Sequence, residues 1–259
     1  MRVYGLDVSH YQLDINWEKV AKAGKKFCIM KCQYERQSHR KDEYFERNYD
    51  GCGKYGIMRG VYIFIGAESI KDPVHDAQCL LNHLNGRRLE YGIWLDMESA
   101  ALRAQGKTEI TRLVRIYANI FTRAGYYVGI YTNLDWYRHV LDVKALSDFD
   151  IWFARYPNAD TGVVKEGLDP KIGVAWQYSS KGHVDGIKGN VDLDLDYDGV
   201  IVLDHPTPKK SNEEIAEEVR AGKWGTKNTT PTRKERLTSA GYNYYEIQQL
   251  VNEWYKNNP

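Results

Sequence analysis

The sequence predicts an α/β fold: a (β/α) barrel of eight strands, followed by a small helical module. Short apolar segments recur through the first 200 or so residues, and segments of helical period separate most of them. Acidic and aromatic residues stand at the ends of several apolar segments, as expected at the carboxyl ends of barrel strands. A polar stretch with two prolines then precedes a C-terminal region of helical pattern.

Eight apolar segments bounded by glycine or polar residues are predicted as strands. They cover residues 3–8, 27–33, 60–64, 93–96, 127–131, 151–154, 174–178 and 191–195. Segments with apolar side chains at three- and four-residue steps are predicted as helices. They cover residues 17–23, 43–55, 73–84 and 108–124. Strands that alternate with helices favour a parallel barrel whose functional site lies at the strand carboxyl ends.

The composition changes after the last predicted strand. Residues 204–212 are predicted as a linker between a barrel domain, residues 1–203, and a module, residues 213–259. Three helices are predicted in this module, over residues 215–220, 233–239 and 245–255. A domain of this size is marginally stable alone, so we expect it to pack on the barrel or on a second copy of itself.

The predicted fourth strand leads into two acids, Asp96 and Glu98. Alternation directs both to one side, where like charges hold one proton at a raised pKa, which suits acid–base chemistry on a glycosidic bond. The alternative is that Asp96 caps the next helix while Glu98 is solvated. Acidic and aromatic residues also stand at the ends of other predicted strands, and this favours a functional site over the capping alternative. The residues expected at these ends are Asp7, Gln33, Tyr62, Asp96, Glu98, Tyr131, Trp152, Arg155, Trp176, Gln177 and Asp192.

Composition excludes some classes of partner. The formal net charge is +1, so no global field favours nucleic acid or a membrane surface. No apolar segment has the length of a membrane span, and the first residues lack the apolar core of a signal peptide. We therefore expect accumulation in the cytoplasm. The four cysteines lack zinc spacing and are predicted to be buried thiols: Cys28, Cys32, Cys52 and Cys79.

An acidic run near residue 200 resembles the start of a calcium loop. The matching residues are Asp194, Asp196, Asp198 and Gly199. His205 stands where the loop requires a bidentate Glu, so a strand is predicted instead, with Asp192 at the barrel mouth and the later acids near a loop. No phosphate-binding glycine motif or nucleophile elbow follows a strand, so the sequence predicts no metal and no cofactor.

Six short motifs occur in an order shared with one family. They are Asp7-Val-Ser-His-Tyr-Gln12, Gly60-Val-Tyr-Ile-Phe64, Trp94-Leu-Asp-Met-Glu98, Trp152-Phe-Ala-Arg-Tyr156, Trp176-Gln-Tyr178 and Gly189-Asn-Val-Asp192. From residue 3 to about residue 203, the chain thereby resembles the glycoside hydrolase family 25 lysozymes. This resemblance implies an irregular (β/α)8 barrel that hydrolyses the β-1,4 bond between N-acetylmuramic acid and N-acetylglucosamine in peptidoglycan.

The resemblance also implies roles for individual residues. Glu98 resembles the general acid, and Asp96 resembles the acid that orients the substrate's 2-acetamido group or stabilises developing charge. Asp7 and Asp192 resemble the two further acids of the site. The implied reaction is retaining, with the acetamido oxygen attacking C1 in place of a protein nucleophile. Tyr62, Tyr131, Trp152 and Arg155 resemble the sugar-contacting wall, and strand-end position adds Phe64, Gln33, Trp176 and Gln177 to the predicted substrate-binding set.

Residues 221–225 and 233–242 resemble the three-helix cell-wall-binding repeat of some phage lysozymes. The resemblance implies wall binding through Trp224, Arg233 and Tyr242, and an endolysin that leaves the host cytoplasm through a phage holin. Several alternatives stay open. The barrel could bind glycan without cleaving it, or it could be chitinase-like. The tail could form a homo-oligomer, and its aromatic residues could be only a miniature core.

Overall fold

The computed structural model describes residues 2–35, 39–197, 210–239 and 242–258. Eight strands close into a barrel in sequence order, which confirms the predicted fold class. They are β1 (Val3–Val8), β2 (Phe27–Lys31), β3 (Met58–Phe64), β4 (Ile93–Asp96), β5 (Val128–Asn133), β6 (Ile151–Ala154), β7 (Ala175–Gly182) and β8 (Val191–Asp196). Nearly all described residues up to 197 form one compact unit, and those from 210 onward belong to a second.

Helices cover the outside of the barrel. They are α1 (Trp17–Lys22), α2 (Phe45–Lys54), α3 (Ala67–Lys71), α4 (Pro73–Leu84), α5 (Ala100–Arg103), α6 (Gly106–Arg123) and α7 (Leu134–His139). The predicted bounds of α4 are correct to the residue. The sequence did not predict α3, α5 and α7, because four to six residues are too few to establish a helical period.

Helix α6 has the strongest helical period in the barrel unit. Its apolar stripe, which includes Leu113, Tyr117 and Phe121, is fully buried, and each such side chain contributes about 1.5–3 kcal/mol when removed from water. The helix ends where Gly125 takes a φ of 86°, a left-handed conformation that costs glycine little. The stripe explains why this helix could be predicted from sequence.

Strand β8 departs from the predicted parallel arrangement. Strands β1 to β7 pair in parallel, whereas β8 runs antiparallel to both β7 and β1. The connection from β7 to β8, residues 183–190, contains no helix, and so short a connection returns the chain antiparallel. The amino end of β8 therefore lies beside the carboxyl ends of the other strands.

Aromatic rings fill the barrel interior. Trp94 and Trp152 meet edge to face, with ring centroids 5.8 Å apart, and Phe27 stacks on Tyr91 at 4.3 Å. Glycine on the neighbouring strand makes room for the largest ring, since a Cβ at Gly129 would lie 2.3 Å from the Trp94 indole. This packed floor closes the barrel below the carboxyl-end mouth.

The second unit is a small helical module. Its helices are α8 (Asn212–Arg220), α9 (Arg233–Ser239) and α10 (Tyr244–Asn257). Its core consists of Ile215, Ala216, Val219, Leu237, Ile247 and Val251. Helix α8 begins three residues before the predicted start, because Ser211 and Glu214 form a capping box. Residues 204–209 of the predicted linker lie outside the described residues.

Two further observations bear on the sequence predictions. No helix of the described residues is long and apolar enough to cross a membrane. Cys28, Cys32 and Cys52 are buried as predicted, but Cys79 is partly exposed on α4, so the prediction is wrong for that residue. Its position on the solvent side of the helix accounts for the difference.

Candidate active site

Antiparallel pairing brings two predicted acids together at the barrel mouth. Asp7 on β1 and Asp192 on β8 are direct partners in the ladder. Burial, and then the charges of Asp192 and Asp194, raise the pKa of Asp7 well above its usual range. Burial raises the pKa of Asp192 to about 6, against a hydrogen bond from Asp7 that lowers it. These carboxyls therefore retain protons at pH values where exposed aspartates are ionised.

The prediction that Asp194 and Asp196 lie near a loop is wrong. Both belong to β8, face the barrel interior and are fully buried, while Asp198 of the acidic run lies outside the described residues. Trp152 Nε1 donates to Asp194 Oδ1 at 2.9 Å, and the Tyr91 hydroxyl donates to Asp196 Oδ2 at 2.9 Å. Period-two alternation carries every second residue of β8 inward, which includes each of its aspartates, and buried donors stabilise Asp194 and Asp196 there.

Asp194 completes a cluster of three acids with Asp7 and Asp192. Burial and the charge of Asp192 raise the pKa of Asp194 to about 8. Its Oδ2 atom is buried and meets no N–H or hydroxyl donor among the described residues. A hydrogen bond with Asp7 opposes the rise in the pKa of Asp194. The cluster thus shares protons between neighbouring strands.

Asp96 and Glu98 form the second acidic pair. Asp96 ends β4 and is 7% exposed, whereas Glu98, two residues later, is solvent-exposed. Burial and then the charge of Glu98 raise the pKa of Asp96 well above its usual range, opposed by the Lys31 ammonium. The walls of the mouth limit the hydration of Glu98 and raise its pKa despite its exposure. The pair therefore competes for one proton.

Asp96 Oδ1 is buried and has no hydrogen-bond donor among the described residues. A buried carboxylate oxygen without a donor costs free energy, about 1–3 kcal/mol for a typical polar group. The atom lies at the carboxyl end of β4, where a barrel receives its substrate. Asp96 is thus arranged to accept a hydrogen bond from a bound molecule.

Three aromatic residues of the predicted set lie at the mouth. Burial, and then the charges of Asp7, Asp96 and Asp192, raise the pKa of Tyr62, so both acidic groups act on this side chain. Phe64 pairs with Asp96 in the ladder between β3 and β4. Tyr131 pairs with Asp96 from the other side, and its hydroxyl donates to Gln177 Oε1 at 2.8 Å.

Three other residues of the predicted substrate-binding set do not line the mouth. Trp152 is 2% exposed in the barrel floor, with its indole N–H bound to Asp194. Trp176 faces the outer layer, because it is one residue out of phase with the inward Gln177. Gln33 is 1% exposed and donates to Asp76 Oδ1 at 2.6 Å on α4. These predictions are wrong for different reasons: Trp176 takes the outer side of its strand, Trp152 lies too deep in the barrel, and Gln33 lies beyond the end of β2.

The last two residues of the predicted set, Arg155 and Gln177, form hydrogen bonds with other groups of the protein. Arg155 contributes backbone, donating its N–H to Gln177 O at 3.1 Å and accepting from Trp176 Nε1 at 2.8 Å. Gln177 is 3% exposed, and its Nε2 donates to Asp7 Oδ2 at 2.7 Å and to Asp192 Oδ2 at 3.4 Å. Gln177 therefore positions carboxylates rather than offering its amide to a ligand.

Two residues of the mouth were missing from the predicted set. Lys31 is the last residue of β2 and lies on the same side of the strand as the inward-facing Phe27 and Ile29. Its positive charge acts on Asp96. Tyr156 donates its hydroxyl to Gln177 Oε1 at 3.0 Å, and the charges of Asp192, Asp7 and Glu98 act on it. Strand parity is the sequence signal that would have identified both residues.

The tail residues predicted to bind cell wall have structural contacts. Trp224 and Tyr242 pack partly buried against the module core, edge to face at 5.9 Å. Arg233 donates from Nε to Gly225 O at 2.9 Å and from Nη1 to Gln248 Oε1 at 3.2 Å. Trp224 and Tyr242 keep part of their surface exposed, whereas the Arg233 guanidinium is held by the module itself.

The site offers carboxylates and aromatic rings rather than a metal centre. Within the described part of the chain, no group of three or more His, Cys, Asp or Glu is arranged to hold a metal ion. Paired acids that differ in burial beside aromatic walls can protonate a leaving oxygen and support the charge that develops. The arrangement therefore suits acid-catalysed cleavage of a glycosidic bond.

Comparison with known proteins supplies an independent finding. Residues 6–187 match the profile of Glycosyl hydrolases family 25, and residues 213–254 match the CW_7 repeat. The chain is 28% identical over 198 residues to the Autolytic lysozyme of Clostridium acetobutylicum, covering 76% of this chain and 57% of that protein. It is 30% identical over 203 residues to Lysozyme M1 of Streptomyces globisporus, covering 73% and 66% respectively.

A solved structure also matches. The bacterial lysozyme from Streptomyces coelicolor shares 26% identity with a TM-score of 0.56, over 74% of this chain and 90% of that one. The chain spans less than two thirds of the length of the two curated relatives above, 57% and 66%.

Proposed function

Because the chain belongs to Glycosyl hydrolases family 25, we propose that its barrel hydrolyses the β-1,4 bond between N-acetylmuramic acid and N-acetylglucosamine in peptidoglycan. The relatives named lysozyme support this substrate class. Asp96 Oδ1, the buried acceptor without a donor beside Glu98, is the observation that carries the proposal. An acetamido N–H on the sugar would satisfy this atom, and both sugars of peptidoglycan carry that group.

Substrate binding would move the shared proton towards Glu98. In the unliganded site, burial favours the protonated form of Asp96. An N–H bond from the substrate and the nearby Lys31 ammonium both favour the ionised form of Asp96. The negative charge on Asp96 then raises the pKa of Glu98, because two adjacent carboxyls cannot both ionise cheaply. Glu98 is thereby protonated when the glycosidic oxygen arrives.

The proposed reaction follows from this protonation state. Glu98 donates its proton to the leaving oxygen as the C1–O bond breaks. The acetamido oxygen attacks C1 and forms a cyclic oxazolinium, whose positive charge Asp96 stabilises. Water then opens the ring while Glu98 takes one of its protons, so the configuration at C1 is retained. This substrate-assisted route needs no protein nucleophile, and the usual spacing rule for two carboxylates then does not apply.

Asp7 and Asp192 take a supporting part in this proposal. The charges of Asp7, Asp192 and Asp96 all act on Tyr62. Asp192, with a pKa of about 6, is ionised at neutral pH, and its negative charge near the sugar favours the positive charge that develops at C1. The module at residues 213–254 holds the enzyme on the wall, which the CW_7 match supports. Exit from a host cytoplasm through a phage holin stays a prediction.

The variant Glu98→Gln tests the proposal. It keeps the shape of the side chain but removes the transferable proton, so lysis of purified walls should fall by about 100-fold or more. Glu109→Gln is a matched control, because Glu109 lies on α6 and pairs with Arg112 away from the mouth. Wild-type digests should contain new muramic-acid reducing ends.

Other outcomes of this test favour the rival functions. Glucosamine reducing ends, or equal cleavage of chitin, would favour a different glycosidase. Wall binding without any new reducing ends would favour a barrel that only binds glycan. Retained lysis in Glu98→Gln would show that another group is the acid.

A further inference from the structure

An exposed aromatic side chain stands at the rim of the mouth. Tyr11 is 77% exposed, the highest exposure among the large apolar and aromatic residues reported for the described chain. It belongs to a 3-10 helix, His10–Gln12, that begins two residues after β1 ends. Because β1 delivers this turn at its carboxyl end, Tyr11 lies on the same side of the barrel as the acidic pairs.

The turn that carries Tyr11 is held in place by several hydrogen bonds. Tyr11 N donates to Ser9 Oγ at 3.3 Å, and Ser9 N donates to Gln12 Oε1 at 2.9 Å, forming a capping box. His10 N donates to Asp42 Oδ2 at 3.2 Å, and its ring Nδ1 lies 3.2 Å from the same oxygen. Asp42 is itself 2% exposed. The ring of Tyr11 is therefore presented by an ordered segment.

A line of contacts joins Tyr11 to the acids of the mouth. The rings of Tyr11 and His10 lie 4.1 Å apart, and those of His10 and Tyr34 lie 5.0 Å apart. The Lys31 ammonium lies 5.1 Å from the Tyr34 ring, and its charge acts on Asp96. Three contacts therefore connect the exposed ring to Lys31, the residue whose charge acts on Asp96. This line extends from the mouth outwards over the rim.

We propose that His10, Tyr11 and Tyr34 form an aromatic platform that binds a pyranose ring of the glycan strand, outside the two rings joined by the bond being cleaved. This proposal rests on the proposed function and names a subsite for the same substrate. A pyranose has a face of C–H groups, which packs on an aromatic face, and hydroxyls at its edge, which suit the Tyr11 hydroxyl. Because the platform is preorganised, little conformational entropy is lost on binding.

The platform predicts that affinity depends on glycan length. Binding of peptide-free tetrasaccharide and octasaccharide from peptidoglycan would be measured by calorimetry on the full chain carrying Glu98→Gln, which prevents turnover. Adding Tyr11→Ala should weaken octasaccharide binding about fivefold to tenfold and leave tetrasaccharide binding unchanged. Tyr11→Phe keeps the ring and should retain most of the octasaccharide affinity.

Tyr4→Ala is the matched control, because Tyr4 lies on β1, towards the end of the barrel opposite Tyr11, and is 39% exposed. The Tyr4→Ala variant should bind both the tetrasaccharide and the octasaccharide with unchanged affinity. Equal effects of Tyr11→Ala on both lengths, or no effect on either, would overturn the platform. So would a loss seen only with peptide-bearing strands, since the ligand would then be the peptide. If length-dependent binding persists while wild type produces no reducing ends, the platform stands and the proposed hydrolysis fails.

Discussion

Gln177 uses both ends of its side-chain amide on protein groups at the barrel mouth. Its two N–H groups reach the carboxylates of Asp7 and Asp192, and its oxygen accepts the hydroxyls of Tyr131 and Tyr156. Donation to a carboxylate favours its ionised form, and Gln177 lowers the pKa of Asp7 against the larger effect of burial. One buried residue therefore connects the acids of β1 and β8 to the tyrosines of the opposite wall.

Replacing Gln177 by Met is expected to raise the pKa of Asp7. The side chain keeps its length but loses both N–H donors, so the proton affinity of Asp7 should rise about tenfold. Titration of side-chain carboxyl carbons by NMR would measure the change. Gln78→Met on the exposed side of α4 should leave the titration unchanged. A loss of thermal stability with an unaltered titration would mean that Gln177 serves packing alone.

Strand β8 shows how one element sets the chemistry of the whole mouth. Its register puts Asp192, Asp194 and Asp196 on the inner side, one above the other, and gives the lower two an indole and a phenol as donors. Burying acids is costly unless each is protonated or hydrogen-bonded. Burial and charge raise the pKa of Asp194 to about 8, so it folds in its protonated form at neutral pH.

The pH dependence of stability should reveal this proton. Because the folded state binds the Asp194 proton more tightly than the unfolded state, stability should fall as pH rises from about 4 to about 8. Asp194→Asn keeps an acceptor for Trp152 and gains an N–H donor, so the decline should become shallower. We expect Tm differences of roughly 5 °C between the two proteins across this range.

Differential scanning calorimetry at several pH values would check this expectation. Asp50→Asn on α2, an exposed position, is the control that should follow the wild-type curve. Parallel curves for wild type and Asp194→Asn would contradict a protonated Asp194 in the folded barrel.

At the scale of the whole molecule, a barrel with an acidic mouth and a small helical unit occur in one chain. A weak wall-binding module adds affinity when the barrel engages the same polymer, because the second contact becomes intramolecular. The small unit offers several aromatic side chains: Trp224 and Tyr242 are partly exposed, and Tyr245, Trp254 and Tyr255 are exposed. The alternative, a tail that joins two copies of the chain, predicts a different result on deletion.

Removing residues 204–259 should separate these roles. For a wall-binding tail, pull-down on purified walls should fall at least tenfold, while cleavage of short soluble oligomers and the number of chains per particle stay unchanged. Light scattering and sedimentation with walls would measure the two quantities. A halved mass with unchanged pull-down would instead identify an oligomerisation module. Trp224→Ala in the full chain tests wall binding without removing the unit.

The sequence identified the elements better than it identified side-chain direction. Apolar length and helical period were enough for the eight strands and for α4 and α6, because burial itself produces those patterns. Strand ends also located Asp7, Asp96 and Tyr131 correctly at the mouth. Trp176 was misplaced because a strand end has two sides, and Gln33 was misplaced because β2 ends two residues earlier than predicted. Lys31 and Tyr156 were missed because a lone lysine or tyrosine carries no signal until its parity is known.

By itself, the sequence determined the fold class, the acidic pair at the end of β4 and the change of composition before the helical module. Those features are local, so spacing along the chain expresses them. Only the tertiary structure decided that β8 runs antiparallel, that Asp192 therefore meets Asp7, and that Asp194 and Asp196 are buried below them. The register of β8 on β1 depends on contacts between residues more than 180 positions apart, such as Asp7 and Asp192, and no local pattern encodes it.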